Sequence, residues 1–182
     1  MSDLPDTGLP GETAGAHIED ADGHGVRLRA PHDLSFLTRW GRGVEVFVKY
    51  AGAPTMRFAG AIPDAVAALR AAADAYRALA HPALIPLRDA VAVGAGFALV
   101  FDWFDGVSLG RHYGRRGRLD HLTTGQRASV VQQLYDFAVT VAERGWVPVD
   151  LYDSSLLVHP ATARLGVCDI DIFRRAPTRN DM

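Results

Sequence analysis

The sequence predicts an α+β fold in which a strand-rich first half gives way to a largely helical second half. Three observations carry that expectation. Apolar residues alternate through Val44-Glu-Val-Phe-Val-Lys-Tyr50 and fill Phe97-Ala-Leu-Val-Phe101, the patterns of half-buried and buried strands. Residues 63–80 and 125–144 carry apolar side chains at helical spacing,. Between them Asp102-Trp-Phe-Asp-Gly106 breaks the chain with polar and aromatic residues. The expected organisation is a leader over 1–24, a strand-rich lobe over 25–101, a linker at 102–106 and a helical remainder over 107–182.

Residues 1–24 hold Gly, Asp, Pro and Thr with almost no large apolar side chain, so they read as an unstructured leader. Strands begin at Gly25. Val26-Arg-Leu-Arg29 alternates, and Leu34-Ser-Phe-Leu-Thr-Arg-Trp40 is β-forming. Gly41-Arg-Gly43 turns that strand into Val44–Tyr50, a hairpin. Val44, Val46 and Val48 share one face of the second strand; Glu45, Phe47 and Lys49 share the other. Pro63 opens an alanine-rich helix whose stripe is Val66, Leu69, Ala73, Tyr76 and Leu79, and His81-Pro82 ends it,. Val91-Ala-Val93 and Phe97–Phe101 flank a Gly94-Ala-Gly96 turn. Val107–Tyr113 reads as a short helix and Gly114-Arg-Arg-Gly-Arg118 as a solvated basic loop. The second long helix has Val130, Leu134, Phe137 and Val141 as its stripe, Thr123 or Thr124 as cap and Gly145 as its end. Leu156-Leu-Val158 and Leu165-Gly-Val-Cys168, around Pro160-Ala-Thr-Ala163, form a second hairpin.

The 182 residues suffice for a real core, and 48% hydrophobic with 22% charged is a globular composition,. A net charge of −2 leaves no basic footprint for nucleic acid and no polybasic membrane patch,. One cysteine, Cys168, excludes an internal disulfide framework and a cysteine zinc site,. No apolar run approaches a membrane span, and the N-terminus does not read as a signal peptide. A cytoplasmic protein is the expectation.

Two features point to chemistry. Of the 19 basic residues, Lys49 alone is lysine; all the others are arginine. A position that keeps lysine wants a compact ammonium rather than a planar fork. It lies within an apolar strand, where an inward ammonium needs an anionic partner. The second feature is acidic. Asp150 and Asp153 sit on the loop before the second hairpin, and Asp169 and Asp171 just after it. A hairpin brings its ends together, so these carboxylates converge, and clustered carboxylates answer to a cation or to proton work. The bland alternative is a solvated acidic loop. The histidines show no ligand spacing, and Ser154-Ser155 lacks the elbow of a serine nucleophile.

Taken in order, these motifs resemble the protein-kinase-like fold over about residue 26 to the C-terminus. Val46-Phe-Val-Lys49 resembles the V-A-I-K strand. Leu79-Ala-His-Pro-Ala-Leu-Ile85 resembles the exit from the helix that follows it. Leu99–Leu109 resembles the hinge. Pro148-Val-Asp-Leu-Tyr-Asp-Ser-Ser-Leu-Leu-Val158 resembles the catalytic loop, with Asp150 on the catalytic aspartate. Asp169-Ile-Asp171 falls where D-F-G stands. The stretch from Asp150 onward is similar to small bacterial serine/threonine-kinase-like proteins. The resemblance implies an antiparallel N-lobe with one helix, a hinge at 102–106 and a partial C-lobe that stops before an activation segment.

The same resemblance implies an ATP- and Mg²⁺-dependent phosphotransferase. Lys49 would contact the α/β-phosphates. The backbone of Asp102, Trp103 and Phe104 would hold adenine. Asp169, helped by Ser155 or Asp153, would hold Mg²⁺. Asp150 would accept the proton of a hydroxyl on a protein or small molecule. Several family features are absent. Pro31–Ser35 stands in place of a glycine-rich loop. The helix glutamate that pairs with the lysine falls near Ala72, and Asp74 points off that face. Pro148 replaces the histidine of H-R-D, and Ser155 the metal-binding asparagine. Two further readings therefore stand beside the first: a pseudokinase-like nucleotide-binding or interaction module, and a small-molecule kinase of the aminoglycoside type. A partial C-lobe also implies an uncovered face on the second long helix, and with it self-association or a partner.

Overall fold

The computed structural model describes residues 17–19, 25–27, 35–40, 44–52, 61–110 and 119–177. It is an α+β protein. Its largest sheet is antiparallel, in the order β3-β4-β6-β5, with β3 Ser35–Trp40, β4 Val44–Ala51, β5 Leu87–Val93 and β6 Gly96–Asp102. A small hairpin, β1 His17–Glu19 with β2 Gly25–Arg27, precedes it. The strand β1 falls inside the 1–24 stretch whose composition reads as leader. The turn at 41–43, the loop at 53–60, the basic loop at 114–118 and residues 178–182 lie outside the described residues.

Strand β4 explains how the sheet serves two environments. Its side chains alternate, so Val46, Val48 and Tyr50 join Ala98, Val100 and Val93 in one apolar cluster. Phe47 and Ala51 point the other way and pack on the main core with Leu99 and Phe101. Lys49 is on that second side. The helix α1, Ile62–Leu79, lies on it too, burying Leu69, Ala72, Ala73, Ala75, Tyr76 and Leu79. The alanines suit this role: their small side chains let the helix sit close to the strands at little cost in side-chain entropy.

The second helix, α2 Thr124–Glu143, begins with a reciprocal cap. Gln126 N–H donates to Thr123 Oγ1, while Gln126 Oε1 accepts from Thr123 N–H,. It ends where Gly145 takes a left-handed φ of 69° and donates to Ala142 O,. Phe137 and Val141 are its buried residues, with Val130 and Leu134 packed beside them. Its Gln133 side chain accepts from Leu165 N–H and donates to Ala163 O. That clamps the hairpin of β9 Leu156–Val158 and β10 Leu165–Val167 against the helix.

Val107–Ser108, expected to start a short helix, is instead a two-residue strand, β7, paired antiparallel with β9. Residues 111–113 of that expected helix lie outside the described residues. The reason is tertiary: β7 completes the β10-β9-β7 sheet, and two residues cannot form a helix against a waiting strand edge,. Two further short strands, β8 Trp146–Val147 and β11 Arg174–Arg175, pair with each other.

The two halves share one core. Leu84 bridges Val167 in parallel, and Ile85 N–H donates to Val167 O at 3.0 Å. A single cluster runs from Ala51 through α1 and β6 to Phe137, Val158, Leu165 and Phe173. The Asp102–Gly106 segment therefore links strand-rich and helical parts that remain packed together. Among the described residues no helix is long and apolar enough to cross a membrane.

Candidate functional site

Lys49 reaches from the inner side of β4 into a cleft of about 600 Å³. That volume lies in the range of small-molecule pockets. Its walls are largely apolar: Phe47, Ile85, Phe101, Phe104, Val107 and Leu157. A few polar groups converge on it, from Lys49, Tyr76, Asp102, Ser108, Ser154 and Cys168. Such a cleft offers a greasy slot for a flat ring with a cation at one wall.

The ammonium of Lys49 is not free. It donates to Asp169 Oδ1 at 2.6 Å and to Asp171 Oδ2 at 2.8 Å. The lysine side chain is 13% exposed; the two carboxylates are 42% and 27% exposed. Burial works against the charge on Lys49. Tyr76, Asp171 and Asp169 outweigh it and hold its pKa well above the ordinary value,. The lysine is therefore a cation at any physiological pH.

The acids reach Lys49 because of how β10 ends. Cys168 N–H donates to Ser155 O, and Asp169 then takes a left-handed φ of 61°. A non-glycine residue in that region costs free energy that neighbouring contacts must offset. The contacts are visible. Ile170 is fully buried, and its N–H donates to the Tyr76 phenol oxygen at 3.3 Å. Turning the backbone at Asp169 and burying Ile170 leaves both flanking carboxylates on the ammonium.

The Asp102–Gly106 segment forms another part of the wall. Asp102 is the last residue of β6; its carboxylate accepts from Arg88 Nε at 2.8 Å and pairs with Arg88 NH2 at 2.6 Å. Trp103 is 41% exposed at the rim. Phe104 is buried, and its ring packs where a Cβ on Gly106 or Gly166 would stand, 2.4 to 2.9 Å away. A side chain at either glycine would collide with the ring, so both positions keep room for it. Arg164 stacks on the same ring at 4.8 Å.

The remaining expected site residues stand apart from the lysine cluster. Asp150 is exposed on a turn after β8 and does not line the cleft. Asp153 is exposed at the start of a one-turn 3-10 helix, Asp153–Ser155, with Ser154 Oγ at 3.4 Å from its carboxylate. Ser155, expected as a metal ligand, is 1% exposed, and its Oγ has no hydrogen-bond partner among the described residues. Its carbonyl rather than its hydroxyl is used, accepting from Cys168. Of the three residues expected to hold Mg²⁺, the structure brings Asp169 to the lysine, with Asp171 as its companion in place of Ser155 and Asp153. Among the described residues no group of three or more His, Cys, Asp or Glu side chains stands ready for a metal ion.

Two site residues escaped the sequence reading. Tyr76 was readable as a core residue of the α1 stripe, and it is one, but its phenol also meets the acid loop. Cys168 was readable as a small core residue; it lines the cleft instead, and burial pushes its thiol up to about 12. Asp74, the acid nearest the helix position expected to pair with Lys49, is exposed and pairs with Arg77 at 3.5 Å. No protein-family model matches this sequence, and no curated protein matches it either.

Proposed function

We propose that this chain is an ATP- and Mg²⁺-dependent phosphotransferase of the serine/threonine protein kinase type, built on a protein-kinase-like fold. The observation that carries the reading is the sole lysine, held as a cation by Asp169 and Asp171 in a mainly apolar cleft whose wall includes Asp102, Trp103 and Phe104. An apolar slot suits adenine, and an ammonium suits the α/β-phosphates. Phosphates would take over part of the role the carboxylates play toward Lys49. Asp169, the more exposed of the two, is then free to face a cation.

The acids present fit a Mg²⁺ that arrives with nucleotide, because that ion needs only one or two carboxylates beside phosphate and water. Asp169 and Asp171 would hold it; Asp171 Oδ1 is a buried acceptor without a partner among the described residues. Ser155 does not fit, since its hydroxyl is buried away from the cleft. Bound there, the ion would neutralise charge on the β/γ-phosphates. Asp150, exposed on its turn, is accessible to an incoming hydroxyl and is the proton acceptor in this reading,.

A second reading is favoured by a specific observation. Asp150 does not line the cleft, and α1 offers Lys49 no carboxylate. A module that binds nucleotide without transferring phosphate fits both facts. Incubation with Mg·[γ-³²P]ATP, generic protein acceptors and small hydroxylated acceptors separates the readings. Transfer that falls by about 100-fold or more in Asp150→Asn supports the phosphotransferase. Nucleotide binding without any transfer supports the module. The acceptor that becomes labelled separates a protein kinase from a small-molecule kinase.

A further inference from the structure

The helix α1 meets the lysine cluster without a charge. Its acids, Asp64 and Asp74, are exposed, as are Arg70 and Arg77. The face it turns inward is Ala72, Ala73, Ala75, Tyr76 and Leu79. The phenol of Tyr76 is the hydrogen-bonding side chain on that face. It is 4% exposed, and its ring is held against Phe101 with centroids 4.7 Å apart.

The phenol oxygen accepts from Ile170 N–H. Ile170 is the residue between the two aspartates that hold Lys49. Asp169 sits in a left-handed conformation at φ 61°, which needs outside support,. We propose that Tyr76 is a positioning residue of this site: it pins the acid loop to α1 through Ile170, so that Asp169 and Asp171 stay on Lys49. The link is a neutral hydrogen bond where an ion pair from the helix would otherwise serve.

The chemistry of the link matters. A salt bridge between helix and lysine would compete with the two aspartates for the same ammonium. A phenol does not compete: it binds the loop backbone and leaves the ammonium to the carboxylates, and to phosphates when they come. Any displacement of α1 away from β6 withdraws the acceptor from Ile170 and releases both acids together. The helix thereby governs the site through the loop as well as through the nearness of the Tyr76 phenol to Lys49. The consequence for Mg·ATP rests on the nucleotide reading above; the pinning of the loop does not.

Tyr76→Phe tests this in the full chain, since it keeps the ring on Phe101 and removes the oxygen. Asp74→Asn, on the exposed side of the same helix, is the control. Because Lys49 is the only lysine, [¹⁵N]lysine labelling yields a single Nζ resonance that reports its hydrogen bonding directly. In Tyr76→Phe that resonance is expected to move, and the Ile170 amide to exchange with deuterium roughly 3- to 10-fold faster, as loss of one hydrogen bond implies. The Leu99 and Val100 amides of β6 keep their rates. Mg·ATP binding weakens by a similar factor. Asp74→Asn changes none of these. An unmoved Nζ resonance with unchanged Ile170 exchange overturns the proposal. So does a uniform acceleration of Ile170, Leu99 and Val100, which would make Tyr76 a packing residue. If wild type binds no Mg·ATP while Ile170 and Lys49 respond as expected, the positioning role stands and the nucleotide reading falls.

Discussion

Replacing Lys49 with methionine keeps most of the side-chain volume and removes the ammonium from between two acids. The outcome separates a lysine that holds the fold from one kept only for a ligand. A charge-assisted hydrogen bond contributes about 1.5–3 kcal/mol. Lys49 makes two such bonds, at 2.6 and 2.8 Å. Asp169 is 42% exposed, so water screens its share to about 1 kcal/mol or less,. Asp171 is 27% exposed, and its Oδ1 already lacks a partner among the described residues. Without Lys49 its carboxylate is left half-buried and unpaired, which is the costlier loss. Relief from desolvating the ammonium returns part of the sum. The net expectation is a destabilisation of about 2 kcal/mol, or a fall in Tm of about 4–8 °C for a chain of this size.

Urea unfolding of the two proteins measures it, as a shift in midpoint at constant slope. The pH dependence follows from the raised lysine pKa. A raised value means that the stabilisation is complete below the ordinary lysine value of 10.5 and is lost as pH climbs beyond it,. The gap between wild type and Lys49→Met should thus hold steady from pH 7 to about 10 and close only at more alkaline pH. A variant equal to or more stable than wild type at pH 7 would refute the argument, because that is how a lysine kept solely for binding behaves.

Three more expectations follow from other parts of the molecule. Gly166→Ala places a methyl group 2.8 Å from the Phe104 ring and should lower stability by about 1–3 kcal/mol in the same urea assay; no change would mean the ring is not clamped there,. Cys168, its thiol pushed up to about 12, should react with iodoacetamide at pH 8 at least roughly 10-fold more slowly in the folded chain than in urea, and equal rates would contradict that raised pKa,. On α2, Val131, Tyr135 and Val139 are 52%, 66% and 53% exposed on one side of the helix, so sedimentation velocity should reveal concentration-dependent association that Tyr135→Glu abolishes; a monomer at every concentration would contradict this,.

Much of the framework was legible because it is written in short-range patterns. The α1 stripe, the Thr123 cap, the left-handed Gly145 and the hairpin across 160–163 each depend on residues a few positions apart. Alternation along Val44–Tyr50 also separated Lys49 from Val46 and Val48 correctly. The short strands β7, β8 and β11 were not legible, because two residues carry no periodicity and become strands only when a partner edge is present,. The site was half legible. The lone lysine and the D-F-G-like position point to Lys49 and Asp169, but the expected convergence of Asp150 and Asp153 with them does not occur. Asp171 takes their place, and the partner expected for the lysine on α1 is not there. It lies on the loop after β10, more than a hundred residues further along the chain. Tyr76 was hidden by its own apolarity: at helical spacing a tyrosine counts as core, and nothing local reveals that its oxygen meets Ile170,. Ser155 stands at the motif's metal-binding asparagine position, whereas the 3-10 turn at Asp153–Ser155 buries its hydroxyl in the interior.

If the cleft takes a nucleotide with Lys49 as its cation, isothermal titration of Mg·ATP into wild type and Lys49→Met will show it. The titration is run at a temperature where both proteins are folded, so that binding rather than stability is read. Wild type should bind saturably, and the variant about 10-fold or more weakly, as loss of a charge-assisted contact to phosphate requires. No heat of binding at millimolar nucleotide, or equal affinity in the two proteins, would contradict it.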